Sequence, residues 1–405
     1  MLPTQSRSKI KSSVILIFTL LGIIFLKFSN LTELKINEPI YTNVRLFLFA
    51  SLSLLILFFT VLKKNTLLQK NKFLLAFQAA LGILIVLNWF FLDHSLTAGR
   101  LPILLILSFA VPALASIIKN ESTQKIFCII SIIPALFVSV SGIKNVLSNS
   151  DITTDRNNIA DFFGNINMAA EYVLFSIMIL LYLLVKNSPI RRELVLYYTS
   201  LLILSSYIIL TASRSAIVAL LSMFILFAYL SKKKIVFFLA LALIGINLSF
   251  LSNPKKNVIA SNIATRKNSA NYRLTMWKNA IQLIKKYPMG IGGDNYQFKY
   301  LPYRSRISPK EIDRSPHNEF LAFTAEHGLH SFLITILFGL FLLSHILSRI
   351  GRTDRNITYC FIVALGIQSF FQFPLENGLT IILILFLSSI LLSNYVIEPK
   401  PQSLS

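Results

Sequence analysis

The sequence predicts an all-α, polytopic integral membrane protein with about 12 transmembrane helices and one large loop outside the membrane, and three observations predict it. Only 14% of the 405 residues are charged and 55% are hydrophobic, where a soluble domain carries about 25% charge; mean hydropathy is +0.67. Apolar runs of about 20 residues, enough to cross a hydrocarbon core about 30 Å thick, recur along the chain. Lysine and arginine also gather in alternate short loops, as cytoplasmic loops require.

The apolar runs lie near 12–28, 43–62, 73–92, 101–118, 126–142, 169–185, 194–211, 215–230, 235–251, 329–347, 356–373 and 378–396. The first follows a basic start, "MLPTQSRSKIKSS", and lacks a small-residue cleavage site, so it reads as a span and not a removed leader. The stretch 194–230 would be about 55 Å long as one helix, too long for a single crossing. It must turn at "TASRS", which puts Arg214 at the tip. Units follow: spans one to nine in 1–251, a loop over 252–316 holding an amphipathic helix, and spans ten to twelve in 317–405.

The short loops set the orientation. Arg7, Lys9 and Lys11, then Lys63, Lys64, Lys70 and Lys72, then Lys119 and Lys125 lie on one side. Lys186, Arg191 and Arg192, Lys232 to Lys234, and Arg349, Arg352 and Arg355 continue it. The alternate loops are poor in base: Lys35 and Arg45, Arg100, Lys144 and Arg156, then Arg214. Both termini are therefore expected in the cytoplasm.

The chain's net charge of +22 does not call for nucleic acid, since orientation accounts for much of it. The loop 252–316 is different: thirteen Lys and Arg stand against three acids on the outer side. Lipid phosphates and a phosphorylated substrate are the partners such a loop fits. The two cysteines, Cys128 and Cys360, lie in apolar stretches and read as buried thiols without disulfide or metal.

Ionisable residues are nearly absent from the middle of the spans, which argues against an ion-coupled transporter. The polar residues gather at outward-facing helix ends. In "TASRSAIVAL", Ser213 can cap the helix that Arg214 enters, and Arg214 either snorkels to headgroups or binds an anion. "NYRLTMWKNAIQLIKKYP" is predicted to be an amphipathic helix with Leu274, Trp277, Ile281 and Ile284 at helical spacing, ended by Pro288. Arg273 at its start can anchor it or bind phosphate. "PMGIGGDNY" has glycines at 290, 292 and 293 but Asn295 where a dinucleotide motif needs another, so it reads as a turn.

"RSPHNEFLAFTAEHG" crowds His317, Asn318, Glu319 and Glu326 into one junction. Ser315 suits an N-cap and Pro316 a first helical residue, which places His317 in the first turn. The positive end of that helix favours an anion and, with Arg314 nearby, keeps the imidazole neutral. A neutral imidazole beside bound phosphate suits a general base; the alternative is a polar residue at a wet helix end. His327 and His330 stand three apart, with no third metal ligand in view.

Four stretches taken together resemble the O-antigen ligase and O-antigen polymerase superfamily of bacterial polytopic glycosyltransferases, most closely the ligases. They are "FGNINMAAEYVLF", "TASRSAIVAL", "YRLTMWKNAIQLIKKYPMGIGGDNY" and "SPHNEFLAFTAEHGLHSFL". The motifs run from about 160 to 333; the residues before them carry none. The resemblance implies a GT-C-like fold in the bacterial inner membrane, with the large loop and the active site facing the periplasm. It implies an inverting sugar transfer from undecaprenyl pyrophosphate, in a ligase to the lipid A–core oligosaccharide of lipopolysaccharide, with no metal and no cofactor. The family's catalytic residues fall on Arg214, Arg273 and His317. Asn318, Glu319, Asn165, Asn167 and Trp277 are candidates to bind substrate. A polymerase or a protein O-oligosaccharyltransferase would use the same donor; a lipid-linked glycan flippase is the reading from another class.

Overall fold

The computed structural model describes residues 71–92, 100–148, 159–160, 163, 165–186, 189–232, 258–293, 295–300, 302 and 315–395. Among these every regular element is a helix. In chain order they are α1 (Lys72–Phe91), α2 (Arg100–Ile117), α3 (Glu121–Ser148), α4 (Ile166–Lys186), α5 (Arg191–Thr211) and α6 (Arg214–Ser231). Then come α7 (Val258–Lys286), the short α8 (Tyr296–Lys299), α9 (Glu319–Leu347), α10 (Arg352–Phe371) and α11 (Gly378–Ser393).

Six of these, α2 to α6 and α9, are long and apolar enough to cross a membrane. The helices α1, α10 and α11 coincide with predicted spans but are shorter or less apolar. The spans expected at 12–28, 43–62 and 235–251 lie outside the described residues, as do Arg156 and Arg314.

The centre of the bundle is α4. Nearly every residue from Ala169 to Leu184 is buried, and α3, α5, α6, α10 and α11 pack around it. A helix apolar on all sides has no face to offer water and ends up enclosed. Its Phe175, Leu180 and Leu183 join Phe127, Leu204, Phe224, Phe361 and Leu385 in one core. Around the outside the apolar residues stay exposed: Ile126, Ile129, Ile133, Phe137 and Val140 form one stripe along α3, each 40–59% exposed. Such a stripe at helical spacing is what lipid would cover. Cys128 and Cys360 are both buried free thiols, as expected.

The turn at 212 is as predicted: Ala212 takes a left-handed φ of 50° and α6 begins at Arg214. Ser213 holds the N-cap position, but its side chain makes no cap bond, and its N–H donates to Thr211 Oγ1 at 3.3 Å instead.

Two expectations need correction. The helix of "SPHNEF" does not start at Ser315 and Pro316; Asn318 is the N-cap, its Oδ1 accepting from Leu321 N at 3.0 Å. The helical run therefore begins at Glu319, and Gly328 (φ 83°, ψ 160°) breaks it in two, the second part coinciding with the span expected at 329–347. The physical cause is the glycine-rich turn after α7. Ile291 N donates to Ala325 O (3.0 Å) and Gly292 N to Glu326 O (2.9 Å), while Leu329 N donates to Pro288 O (3.0 Å). The turn takes over carbonyls that an unbroken helix would bond to residues four further on. "PMGIGG" is therefore a turn, and its work is to splice into α9.

The second correction concerns α7, which begins at Val258, so Arg273 lies in its body and not at its start. Its protein-facing side is Met276, Asn279, Ala280 and Leu283, whereas Leu274 and Ile281 are 52% and 43% exposed. The stripe read from helical spacing is thus mostly outward, and a second face of the helix meets protein. Ala280 and Leu283 pack with Ile291, Tyr296, Tyr300 and Ala325, seating α7 and α8 against the first half of α9.

Candidate active site

Three separate elements bring the predicted catalytic residues to one end of the bundle. Arg214 is the first residue of α6 and exposed; Arg273 lies half-buried on α7; His317 lies half-buried just ahead of the cap of α9. They are near enough for their charges to act on one another. Burial, then the Arg214 guanidinium, holds Arg273 below the ordinary guanidinium range. Burial, then Arg273, pushes His317 down to about 4, so the imidazole is neutral at pH 7.

His317 is not in the first turn, as expected from sequence, but one residue before the N-cap, with a left-handed φ of 50°. Non-glycine residues rarely adopt that conformation, and those that do cluster at functional sites. The ring leans on Phe373, centroids 5.1 Å apart. Its Nδ1 is buried without a hydrogen-bond partner among the described residues. The result is a neutral ring that feels the Arg273 guanidinium, which in turn feels Arg214. Such a pair of guanidiniums can hold pyrophosphate and stabilise charge on a leaving phosphate.

The candidate binding residues have definite local duties. Asn318 caps α9. Asn165 caps α4 through Oδ1, which accepts from Asn167 N at 2.9 Å and Met168 N at 3.4 Å; Asn167 itself is half-buried in the first turn. Trp277 Nε1 donates to Pro316 O at 3.0 Å, and its ring stands edge-on to Phe370, 5.2 Å between centroids. This bond ties α7 directly to the residue preceding His317.

Glu319 belongs to a cluster centred on a residue that sequence reading counted only as a loop charge, Arg100. Its Nε pairs with Glu319, its Nη1 with Glu326 Oε2 at 2.7 Å, and its Nη2 with Glu376, with Ser315 Oγ 3.5 Å away. Arg100 is 2% exposed. A signal was present: Glu319 and Glu326 are seven residues apart, hence on one helix face, and two acids entering an apolar helix need a cation. Close by, Asn377 Nδ2 lies 3.4 Å from the buried Glu171 of α4. His327, raised as a possible metal ligand, accepts from the backbone N–H of Arg100 at 3.2 Å and so serves an open donor at the start of α2. His330 Nε2 bonds Ser331 Oγ at 3.0 Å.

Residues 199–336 match the O-antigen ligase family. The matched stretch runs from α5 into α9 and holds Arg214, Arg273 and His317, so the resemblance to the O-antigen ligase and polymerase superfamily stands where the three converge. The ligase-family segment excludes Arg100 and Glu376. The chain is also 26% identical over 192 residues to an uncharacterised protein of Haemophilus influenzae (strain Rd), an alignment covering 42% of this chain and 47% of that protein. The matched stretch is less than half of the chain.

Proposed function

We propose that this protein is an O-antigen ligase of the bacterial inner membrane, moving O-antigen polysaccharide from undecaprenyl pyrophosphate to the lipid A–core oligosaccharide on the periplasmic face. The observation that carries the reading is the convergence of Arg214, Arg273 and a neutral His317 from three elements inside the ligase-matched segment. His317 takes the proton from an acceptor hydroxyl as its oxygen attacks the anomeric carbon. The bond from that carbon to the pyrophosphate oxygen breaks, and undecaprenyl pyrophosphate leaves with the electron pair, inverting the anomeric centre. Arg214 and Arg273 clamp the pyrophosphate, because planar guanidinium forks match phosphate oxygens and stay charged. The two supply the positive charge, so the step calls for no metal or other cofactor. The alternation of basic and base-poor short loops supports twelve spans with both termini in the cytoplasm, an orientation in which these residues face the periplasm.

The reading is tested by deletion followed by analysis of lipopolysaccharide and carrier lipid. Long glycans kept on the carrier with none on lipid A–core identify the ligase. Single repeat units on the core identify a polymerase instead, and unchanged lipopolysaccharide removes both.

A further inference from the structure

We propose that Arg100 is a positioning residue for His317, drawing the 315–319 strap, the body of α9 and the turn before α11 onto one guanidinium so that the imidazole is presented to the two arginines. The inference rests on the reading of His317 as the base, and it goes beyond it: Arg100 and Glu376 lie outside the segment that matches the ligase family.

The strap is held on both sides of the histidine. Ser315, two residues before it, and Glu319, two residues after it, both reach Arg100. The same guanidinium holds Glu376, in the turn whose Phe373 leans on the imidazole ring. Glu376 N also donates to Phe373 O at 2.9 Å, which closes that turn on itself. His317 therefore sits between two segments that meet at Arg100, and its left-handed backbone is imposed from each end of the strap. A left-handed residue outside glycine persists only where its surroundings over-determine it.

The geometry requires arginine. Each of three nitrogens, Nε, Nη1 and Nη2, faces a different carboxylate. A lysine ammonium is a single point of charge on a flexible stem and cannot occupy three edges of a plane. With the side chain buried, water cannot replace a lost partner.

The titratable and charged groups around this end of the bundle are Arg214 on α6, Arg273 on α7, Glu319, Glu326 and His327 on α9, Glu376 before α11, Glu171 on α4 and Arg100 itself. Burial and Arg273 lower the histidine's proton affinity. A loosened strap lets the ring move toward water, so the acid limb of the rate profile should rise toward the ordinary histidine value of about 6.5.

The test uses the full chain in nanodiscs with a lipid-linked glycan donor, comparing wild type, H317A, R100K and K186M. K186M breaks the Lys186–Asp354 pair (3.0 Å), which joins the end of α4 to the start of α10. R100K should slow transfer at neutral pH by ~10- to 100-fold, the scale of an ångström-sized misplacement, with donor affinity little changed and the acid limb moved up by about a unit or more. K186M should lower the thermal midpoint with no movement of the limb. Should R100K not accumulate in the membrane, Glu376→Gln, at a half-exposed member of the cluster, carries the same test and should move the limb in the same direction. A limb and rate unchanged in R100K, or in Glu376→Gln where that decides, while H317A is inactive, overturn the role of Arg100 alone. Full activity in H317A removes the base reading and this inference with it.

Discussion

Gly290 and Gly328 meet backbone to backbone: a Cβ on Gly290 would stand 2.7 Å from the amide nitrogen of Gly328, and one on Gly328 would stand 2.4 Å from Met289 O. Both have positive φ, 101° and 83°. This contact lets the turn after α7 splice into α9, and it fixes where the candidate site's two halves join.

Gly290→Ala and Gly328→Ala should each destabilise the protein by about 2–4 kcal/mol, combining left-handed strain with overpacking against backbone that cannot yield. Gly366, with nothing within 4 Å of its added Cβ, is the comparison. Gly366→Ala should be neutral or stabilising by up to ~1 kcal/mol. Thermal midpoints in detergent check this, and equal midpoints for all three would contradict the splice.

His317→Ala should lower turnover by about 10²- to 10⁴-fold, the range of a positioned acid–base group, with donor affinity nearly unchanged. The sign of the pH effect follows from the depressed value of about 4. The base is competent when unprotonated, so the wild-type rate should hold as pH falls from 7 through the ordinary histidine range and drop only toward the depressed value. Single-turnover rates across pH decide it. A mutant that binds donor poorly yet turns over normally at saturation would make His317 a phosphate ligand.

Arg273→Lys keeps the charge and loses the fork. Loss of one charge-assisted hydrogen bond, worth about 1.5–3 kcal/mol, should weaken donor binding by roughly 10- to 100-fold and slow transfer as well. Titration with the lipid-linked donor measures the first part directly. Unaltered donor binding would leave Arg273 as an anchor of α7.

Trp277→Phe removes the bond to Pro316 O and keeps a ring beside Phe370. The expected stability loss is about 1 kcal/mol. Transfer should fall out of proportion to it, because the bond holds the residue next to His317. A loss of stability with full turnover would show that the indole only packs.

Single cysteines at Lys278 and Arg192, both exposed, should differ in reaction with an impermeant maleimide once Cys128 and Cys360 are replaced. Intact spheroplasts should label position 278 and not 192. The reverse pattern would overturn the proposed orientation.

The hairpin at 212, the start of α6 and the extents of α1, α2 and α4 to α6 were legible from hydropathy and turn chemistry, because apolar length and punctuation are properties of neighbouring residues; α3 runs over Glu121–Ser148, past both ends of the expected 126–142. The start of α9 was not. A serine–proline pair looked like a helix start, yet Asn318 caps the helix, because Ser315 is drawn to Arg100 and His317 is bent into the left-handed region. The orientation of α7 was likewise open, since Leu274 and Met276, two residues apart, lie on opposite sides of the helix and only the docking on α9 chooses which side meets protein.

By itself, then, the sequence determined a membrane-spanning helical chain and supplied the residue types of the candidate site, Arg214, Arg273 and His317, each marked by its own local pattern. Only the tertiary structure decided what those residues face. Arg100 meets its carboxylates 219, 226 and 276 residues further along the chain. The kink at Gly328 likewise answers to a turn about 40 residues before it. Hydropathy adds up along a segment, so a local window can read it. A buried charge or a displaced carbonyl is satisfied by whichever partner folding brings near, and no window along the chain contains that partner.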